Sequence, residues 1–126
     1  MSIRSISTDT APRPVAAYSQ AIVAGGFLFT AGMIGIDPAT NALVDGFDAQ
    51  AQRALDNIRS VLAAERLGIV DLVKVTLYLT DLTKFGAFNA MYERFLEGSR
   101  PARTTVGVSA LPNGALIEID AIAVLR

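Results

Sequence analysis

Residues 71–80 read DLVKVTLYLT, and this stretch decides the class of fold. Every second residue is apolar, which is the period of a β-strand with one buried face. The residues predicted to point to the buried face are Val73, Val75, Leu77 and Leu79. The residues predicted to point the other way are Lys74, Thr76, Tyr78 and Thr80. Because one face of this strand is apolar, a second layer of structure must pack on it.

Two predicted helices, one before and one after this strand, provide that layer. Asp48 is predicted to cap a helix that runs to about Leu67, with Gly68 at its carboxyl end. Its apolar residues recur at helical spacing and are Ala51, Leu55, Ile58 and Leu62. The residues predicted to face solvent are Gln52, Arg53, Asp56, Asn57 and Arg59. The second helix spans residues 83–96, and its apolar stripe consists of Phe85, Phe88, Met91, Tyr92 and Phe95.

The remaining segments are predicted to be strands joined by turns. A short edge strand followed by extended chain is predicted within residues 1–18, and a hairpin with a Gly25-Gly26 turn within residues 21–31. The other segments are a loop at 37–41, a strand at 104–109, a turn at 112–114 and the last strand at 116–125. The order β-β-β-α-β-α-β-β predicts one α+β domain over residues 1–126, with two helices on one face of a mixed sheet.

The composition predicts self-association. The chain of 126 residues has a net charge of −1; 52% of its residues are hydrophobic and only 18% are charged. This apolar excess, together with the uncovered face of the sheet, predicts a homo-oligomer. The balance of charge predicts no nucleic-acid surface, and no apolar run is long enough to span a membrane. Residues 1–14 are polar and do not resemble a signal peptide, so we expect a cytoplasmic protein.

The amino-acid types that are missing restrict the chemistry. The sequence has no cysteine, histidine or tryptophan. Disulfides, zinc sites of the usual kinds, thiol nucleophiles and imidazole bases are therefore excluded. Any chemistry must come from carboxylates, arginine, lysine, tyrosine, hydroxyl groups, the backbone or a bound cofactor.

Glu118 is the first candidate for a catalytic residue. It lies between Ile117 and Ile119 in the last predicted strand, whose two faces are both largely apolar, which predicts burial on both sides. A carboxylate in such a strand must be paired, hydrogen-bonded or able to accept a proton, because burying it alone is costly. A structural ion pair, or a carboxylate that faces a wet channel, is the alternative interpretation.

Arg103 is the candidate partner for an anionic ligand. It follows Pro101-Ala102 and shares strand parity with Thr105, so it lies on a face with small side chains. A guanidinium there can bind a carboxylate through two parallel hydrogen bonds, although a surface or interface arginine is the alternative. A register slip of one residue would reverse the face of Glu118, so the sequence leaves open whether Arg103 and Glu118 meet within one chain.

Several segments together resemble the Rid family, the reactive intermediate deaminases, which is also called the YjgF family. The resemblance runs essentially from end to end, and the combination of Pro-Ala-Arg with Ile-Glu-Ile is its most specific part. The segments that carry it are Ala17-Tyr18-Ser19-Gln20-Ala21, Thr30-Ala31-Gly32-Met33-Ile34, Asn89 with Tyr92, Arg100-Pro101-Ala102-Arg103-Thr104-Thr105 and residues 117–123, IEIDAIA.

The resemblance implies both an architecture and an activity. It implies a chorismate-mutase-like α+β fold assembled as a homotrimer, with the three sheets forming a central barrel, the helices outside and clefts between neighbouring subunits. It further implies hydrolysis of enamines and imines, such as 2-aminoacrylate and 2-iminopropanoate, to a 2-keto acid and ammonia. The family needs no cofactor or metal, so the expected ligand is a small 2-imino or 2-keto acid.

The resemblance also implies roles for individual residues. Arg103 would bind the carboxylate of the substrate, and Glu118, ionised beside that guanidinium, would position or activate the attacking water. Tyr18 would line the cleft and bond substrate or water. The further substrate-binding residues implied are Ala31, Gly32, Asn89 and Thr105, with Gly32 and Thr105 acting through their backbone groups.

Two departures from the family pattern bear on function. Deaminases of the family commonly read Ser-Gly-Gln where this sequence has Ala31-Gly32-Met33, and some members have cysteine at the position of Thr105. The missing hydroxyl and amide remove hydrogen bonds and predict a pocket for a larger or more apolar substrate. The alternative prediction is a non-catalytic protein of the same family, either one that binds small acids or one that acts as a chaperone.

Overall fold

A six-stranded mixed sheet forms one layer of the molecule, as shown by a computed structural model that describes residues 2–126. The molecule has eight strands, of which β4 and β5 lie outside this sheet. They are β1 (Arg4–Ile6), β2 (Ala21–Ala24), β3 (Phe27–Thr30), β4 (Ile36–Asp37), β5 (Ala42–Leu43), β6 (Leu72–Leu79), β7 (Ala102–Gly107) and β8 (Ile117–Val124). The order in the sheet is β1-β2-β3-β8-β6-β7, with β6 and β7 parallel and the other neighbours antiparallel. The short strands β4 and β5, which the sequence analysis missed, pair with each other on either side of the predicted loop.

The first hairpin forms as predicted. Strands β2 and β3 pair with Ala24 opposite Phe27, and the two residues between them have φ values of 58° at Gly25 and 86° at Gly26. Two consecutive positive φ angles are typical of the tight hairpin turn that matches the twist of the strands. Glycine adopts this conformation without a steric penalty, which explains why the turn has this sequence.

Two helices, α1 (Phe47–Ala64) and α2 (Phe85–Leu96), cover one face of the sheet and confirm the predicted α+β architecture. Leu55, Ile58 and Leu62 of α1 pack against the alternate residues of β6 and β8 that point to this face. Among the largest fully buried side chains of this core are Leu28, Leu55, Ile58, Leu62, Leu77, Leu79, Phe88, Ile117 and Ile119.

The predicted ends of α1 were wrong. The helix begins at Phe47, and the cap position is Gly46, whose φ of 87° suits glycine, so Asp48 lies in the first turn and caps nothing. Its regular part ends at Ala64, three residues before the predicted end. Arg66 turns into the left-handed region, with φ of 59°, and the N–H of Leu67 bonds back to the carbonyl of Leu62. The second helix is preceded by a separate 3₁₀ turn at Leu82–Lys84.

Two residues lie on the side opposite to the one predicted. A bulge between Leu72 and Lys74 shifts the alternation of β6, so Leu72 is buried and Val73 is exposed. Asn57, predicted to face solvent, is fully buried because its amide donates to the carbonyls of Ile34 and Ile36, at 3.1 and 2.9 Å. A buried amide with two backbone partners fixes the loop before β4 against α1.

Within residues 2–126, no layer of structure covers the second face of the sheet. On β8, Ile117 and Ile119 are buried under the helices, whereas Glu118, Asp120 and Ile122 on the opposite face are only half-buried. The predicted burial of β8 on both faces therefore does not occur in a single copy. Within residues 2–126, no helix combines the length and the apolar character needed to cross a membrane.

Candidate active site

One cleft, which we call the Glu118 cleft, lies beside the uncovered face of the sheet and has a volume of about 120 Å³. Glu118 enters it from β8, Gly32 from the loop after β3 and Tyr18 from the segment before β2. Tyr18 is half exposed and Glu118 is half-buried, so both side chains are accessible to a ligand. The other lining residues are Pro12, Arg13, Val15, Gln20, Met33, Ile34, Ile36, Pro112 and Asn113.

Gly32 is packed directly against the carboxyl group of Glu118. A methyl group built on Gly32 would lie 2.7 Å from the carboxyl carbon of Glu118 and 3.2 Å from its Cγ. The backbone of Gly32 does not have a positive φ, so the glycine is required by this close approach and not by its conformation. The Glu118 carboxylate can therefore occupy this position only because residue 32 has no side chain.

The electrostatic surroundings of Glu118 favour its protonated form. Burial raises the pKa of its carboxyl group, and the neighbouring charge of Asp120 raises the pKa further. The hydroxyl of Tyr78 donates to Asp120 at 2.8 Å, and this bond, together with burial, raises the pKa of Tyr78 to about 12. The expected stabilisation of the ionised Glu118 by the guanidinium of Arg103 does not occur within a single copy, where burial and then Asp120 set the direction of the pKa shift.

Gln20 anchors the amino-terminal segment that covers the cleft. It is buried, and its amide accepts from the N–H of Thr8 at 2.7 Å and donates to the carbonyls of Thr8 and Pro12 at 3.0 and 2.9 Å. These bonds hold residues 8–12 next to Tyr18. The burial of Gln20 was not predicted from the sequence, because its partners are backbone groups that no local pattern identifies.

A second cleft, the Arg103 cleft, lies between α2 and the start of β7. Nη1 of Arg103 donates to the side-chain oxygen of Asn89 at 2.9 Å. The guanidinium also lies 5.1 Å from the ring centres of both Phe85 and Tyr92, which is the distance of a cation–π contact. These contacts orient the planar cation and place Asn89 directly beside it. The cleft is lined by Asn89, Tyr92, Glu93, Leu96, Arg100, Pro101 and Arg103.

Arg103 and Glu118 lie on opposite faces of the sheet within one chain. Arg103 is the register partner of Val75, and Glu118 is the register partner of Tyr78. Val75 and Tyr78 are three positions apart on β6, so their side chains point to opposite faces. The two clefts share no lining residue. The question left open by the sequence is therefore answered: these two side chains do not meet within one copy.

The two other predicted ligand-binding residues lie near the clefts without lining them. Ala31 immediately precedes Gly32, and its N–H is already bonded to the carbonyl of Gln20 at 2.8 Å. Thr105 lies on the same face as Arg103, two residues along β7. Because β7 is the last strand of the sheet, one side of its backbone is open to a ligand or to another copy.

A metal site is not suggested by the described part of the chain. Among residues 2–126, no group of three or more aspartate or glutamate side chains is arranged to hold a metal ion.

The hydroxyl group of Tyr92 is buried and has no hydrogen-bond partner among the described residues. Tyr92 itself is one of the residues that line the Arg103 cleft.

Comparisons with known proteins agree over nearly the whole chain. A family model described as Endoribonuclease L-PSP matches residues 8–125. The chain is 47% identical over 119 residues to a RutC family protein of Pyrococcus horikoshii, with 94% of each chain covered. It is 42% identical over 120 residues to a rat protein named 2-iminobutanoate/2-iminopropanoate deaminase, covering 94% of this chain and 88% of the relative. The crystal structure of RidA from an Antarctic Psychrobacter superimposes with a TM-score of 0.94 at 38% identity, covering 97% of this chain and 99% of that one.

Proposed function

This chain belongs to the Rid family, also called the YjgF or RutC family, and on that premise we propose that it hydrolyses 2-imino acids and their enamine tautomers to 2-keto acids and ammonia. The name of the rat relative, a deaminase of 2-iminobutanoate and 2-iminopropanoate, supports this reaction class. The proposed site lies between two copies of the chain in a homotrimer, with the Arg103 cleft of one copy facing the Glu118 cleft of the next.

The observation that carries the proposal is the division of the required groups between two clefts. An anion-binding group, Arg103, and a proton-accepting group, Glu118, lie on opposite faces of one sheet. Neither cleft alone contains both groups. A cyclic arrangement of identical copies can bring the two different surfaces together in every interface. The uncovered sheet face and the exposed apolar residues Phe27, Phe29 and Val124 on it support such an assembly.

Arg103 would bind the carboxylate of the substrate. Its bond to Asn89 uses one of the five N–H groups of the guanidinium, so an edge with two parallel donors remains for a carboxylate. Phe85 and Tyr92 restrict the plane of the cation. A substrate held in this way has its C2 carbon at a fixed distance from the guanidinium, which is the condition for effective positioning.

Glu118 would transfer the protons. It takes a proton from water as the water oxygen forms a bond to C2 and the electron pair of the C=N bond moves to nitrogen. The nitrogen takes that proton back from Glu118, which gives a neutral carbinolamine. Glu118 then takes the proton of the carbinolamine hydroxyl and delivers it to nitrogen as the C=O bond forms and the C–N bond breaks, so that ammonia and the 2-keto acid leave. A carboxyl group with a raised pKa suits both steps, because its two protonation states are closer in free energy near neutral pH.

Mixing two inactive variants tests both the reaction and the divided site. Arg103→Ala and Glu118→Gln are each expected to lose turnover, measured with imines generated by an amino-acid oxidase and trapped by semicarbazide. When the two variants assemble at random in equal amounts, one interface in four combines an intact Arg103 from one copy with an intact Glu118 from its neighbour. We therefore expect recovery of about one quarter of the wild-type turnover.

The outcome distinguishes the alternatives. No recovery in mixed assemblies would refute a site shared between Arg103 of one copy and Glu118 of the next. Wild-type turnover in either single variant would remove that residue from the reaction. Binding of 2-oxobutanoate without any turnover would favour a non-catalytic acid-binding protein, which the missing hydroxyl at Ala31 makes the second candidate. Suppressed aggregation of a client protein without acid binding would favour a chaperone. Sedimentation that shows only monomer would refute the trimer.

We do not propose RNA cleavage, although the description of the family model names an endoribonuclease. The net charge is −1 and the sequence contains no histidine to serve as a base or acid. Binding to RNA depends strongly on neutralising phosphates with lysine and arginine. We expect no binding to a labelled single-stranded RNA at either low or high salt concentration.

A further inference from the structure

Six apolar residues line the Glu118 cleft beside its polar groups. The apolar walls are formed by Pro12, Val15, Met33, Ile34, Ile36 and Pro112. The amide of Gln20, which also borders the cleft, is already bonded to backbone groups of residues 8–12, so it offers little to a ligand. Arg13, Tyr18, Asn113 and Glu118 are the other polar side chains of the lining, and most of the remaining wall is hydrocarbon.

These apolar walls are also rigid. Met33 is 5% exposed, and its backbone N–H and carbonyl both bond to Ile119, at 2.7 and 3.0 Å. The carbonyls of Ile34 and Ile36 are held by the buried amide of Asn57. Because the backbone of this wall is bonded to two different elements, the pocket is formed before a ligand binds. A preformed apolar pocket selects ligands by shape and by the apolar area they bury.

The size of the cleft indicates how much hydrocarbon fits. A dry apolar cavity of about 150 Å³ holds a benzene molecule. By that measure the 120 Å³ of the Glu118 cleft accommodates an aliphatic group of about four carbons and is much larger than the single methyl group of 2-iminopropanoate.

We propose that the preferred substrates are 2-imino acids with an aliphatic side chain of about three to five carbons, and that Met33 sets this preference. The inference rests on the proposed function, since it assumes that the reacting carbon lies at Glu118. With the carboxylate at Arg103 of the neighbouring copy and C2 at Glu118, the side chain of the substrate points into the apolar part of the cleft. Charged and polar side chains would lose hydration there and would find few partners beyond Arg13 and Asn113.

The test compares the imines of leucine, norleucine, alanine and glutamine, each generated by the same oxidase. Burial of about three extra carbon atoms predicts a kcat/KM for the leucine imine roughly 10- to 100-fold above that for the alanine imine. Met33→Gln keeps the length of the side chain and should reduce that ratio about tenfold, chiefly through the leucine imine. Met91→Gln is the matched control, because Met91 lines neither cleft, and it should leave the ratio unchanged.

If Met33→Gln fails to fold, a second variant and a binding measurement test the same preference. Val15 is 81% exposed, so Val15→Thr preserves the fold and should lower the ratio in the same direction. If no imine is hydrolysed, the proposed reaction fails, and the dissociation constants of 4-methyl-2-oxopentanoate and pyruvate still test the pocket. Equal kcat/KM values for leucine and alanine imines, or equal affinities for the two keto acids, would overturn the inference.

Discussion

Gly32→Ala is the substitution whose effect on activity follows most directly from the structure. The added methyl group would lie 2.7 Å from the carboxyl carbon of Glu118, whereas carbon atoms in contact are separated by about 3.5–4.0 Å. The carboxylate must therefore move by about 1 Å. A displacement of that size in a catalytic group costs on the order of 100-fold in rate. We expect kcat/KM for imine hydrolysis to fall by about that factor.

The same substitution should change stability very little. The methyl group meets the end of a flexible side chain and not the backbone, and no positive φ is involved, so we expect a loss below about 1 kcal/mol in the free energy of unfolding. Gly86→Ala is the control: Gly86 lies in α2 with no atom near its missing side chain. That variant should keep wild-type turnover and gain about 0.5–1 kcal/mol of stability.

The assay is the semicarbazide competition with an oxidase-generated imine, together with urea unfolding of each variant. If folded Gly32→Ala hydrolyses imines at the wild-type rate, then the position of the Glu118 carboxylate does not limit the reaction. The proposed role of Glu118 in proton transfer would then be wrong, and the proposed role of Arg103 would be unaffected.

Three further predictions concern stability. In Gly35→Ala, the added methyl group would lie 2.6 Å from the Cα of Gln50, which is a backbone atom that cannot easily move. We expect the free energy of unfolding in urea to fall by about 1–3 kcal/mol, and an unchanged unfolding midpoint would contradict this packing. Tyr78→Phe removes the hydrogen bond to Asp120 and should lower the free energy of unfolding by about 1 kcal/mol. The bond to Asp120, together with burial, raises the pKa of Tyr78 from 10.0 to about 12, so wild type should lose stability as the pH rises between these values and the variant should not. Asp71 accepts bonds from Arg126 and from the N–H of residue 68, which lower the pKa of its carboxyl group below 3.8. The contribution of Asp71 to the free energy of unfolding is present above pH 3.8 and is lost as the pH falls through the lowered pKa. The difference in melting temperature between wild type and Asp71→Asn should therefore shrink in acid, and a constant difference would refute this.

Buried polar residues were the main failing of the sequence analysis. Asn57 was predicted to face solvent, and Gln20 was noted only as part of a motif, yet both are buried and both fix loops beside the Glu118 cleft. Their partners are backbone carbonyls separated from them by 8 to 23 residues. No periodic pattern in the sequence contains such partners, because the pairing depends on how distant segments pack.

The sequence alone determined the elements of the fold, because apolar periodicity and turn residues act over a few neighbouring positions. The alternation in residues 71–80, the Gly25-Gly26 turn and the two apolar helical stripes were sufficient to predict two helices on a mixed sheet. The tertiary structure decided which face each candidate residue occupies. The pairing of β6 with both β7 and β8 sets Arg103 and Glu118 on opposite sides, and a slip of one residue in either pairing would reverse that result, since strand side chains alternate with a period of two.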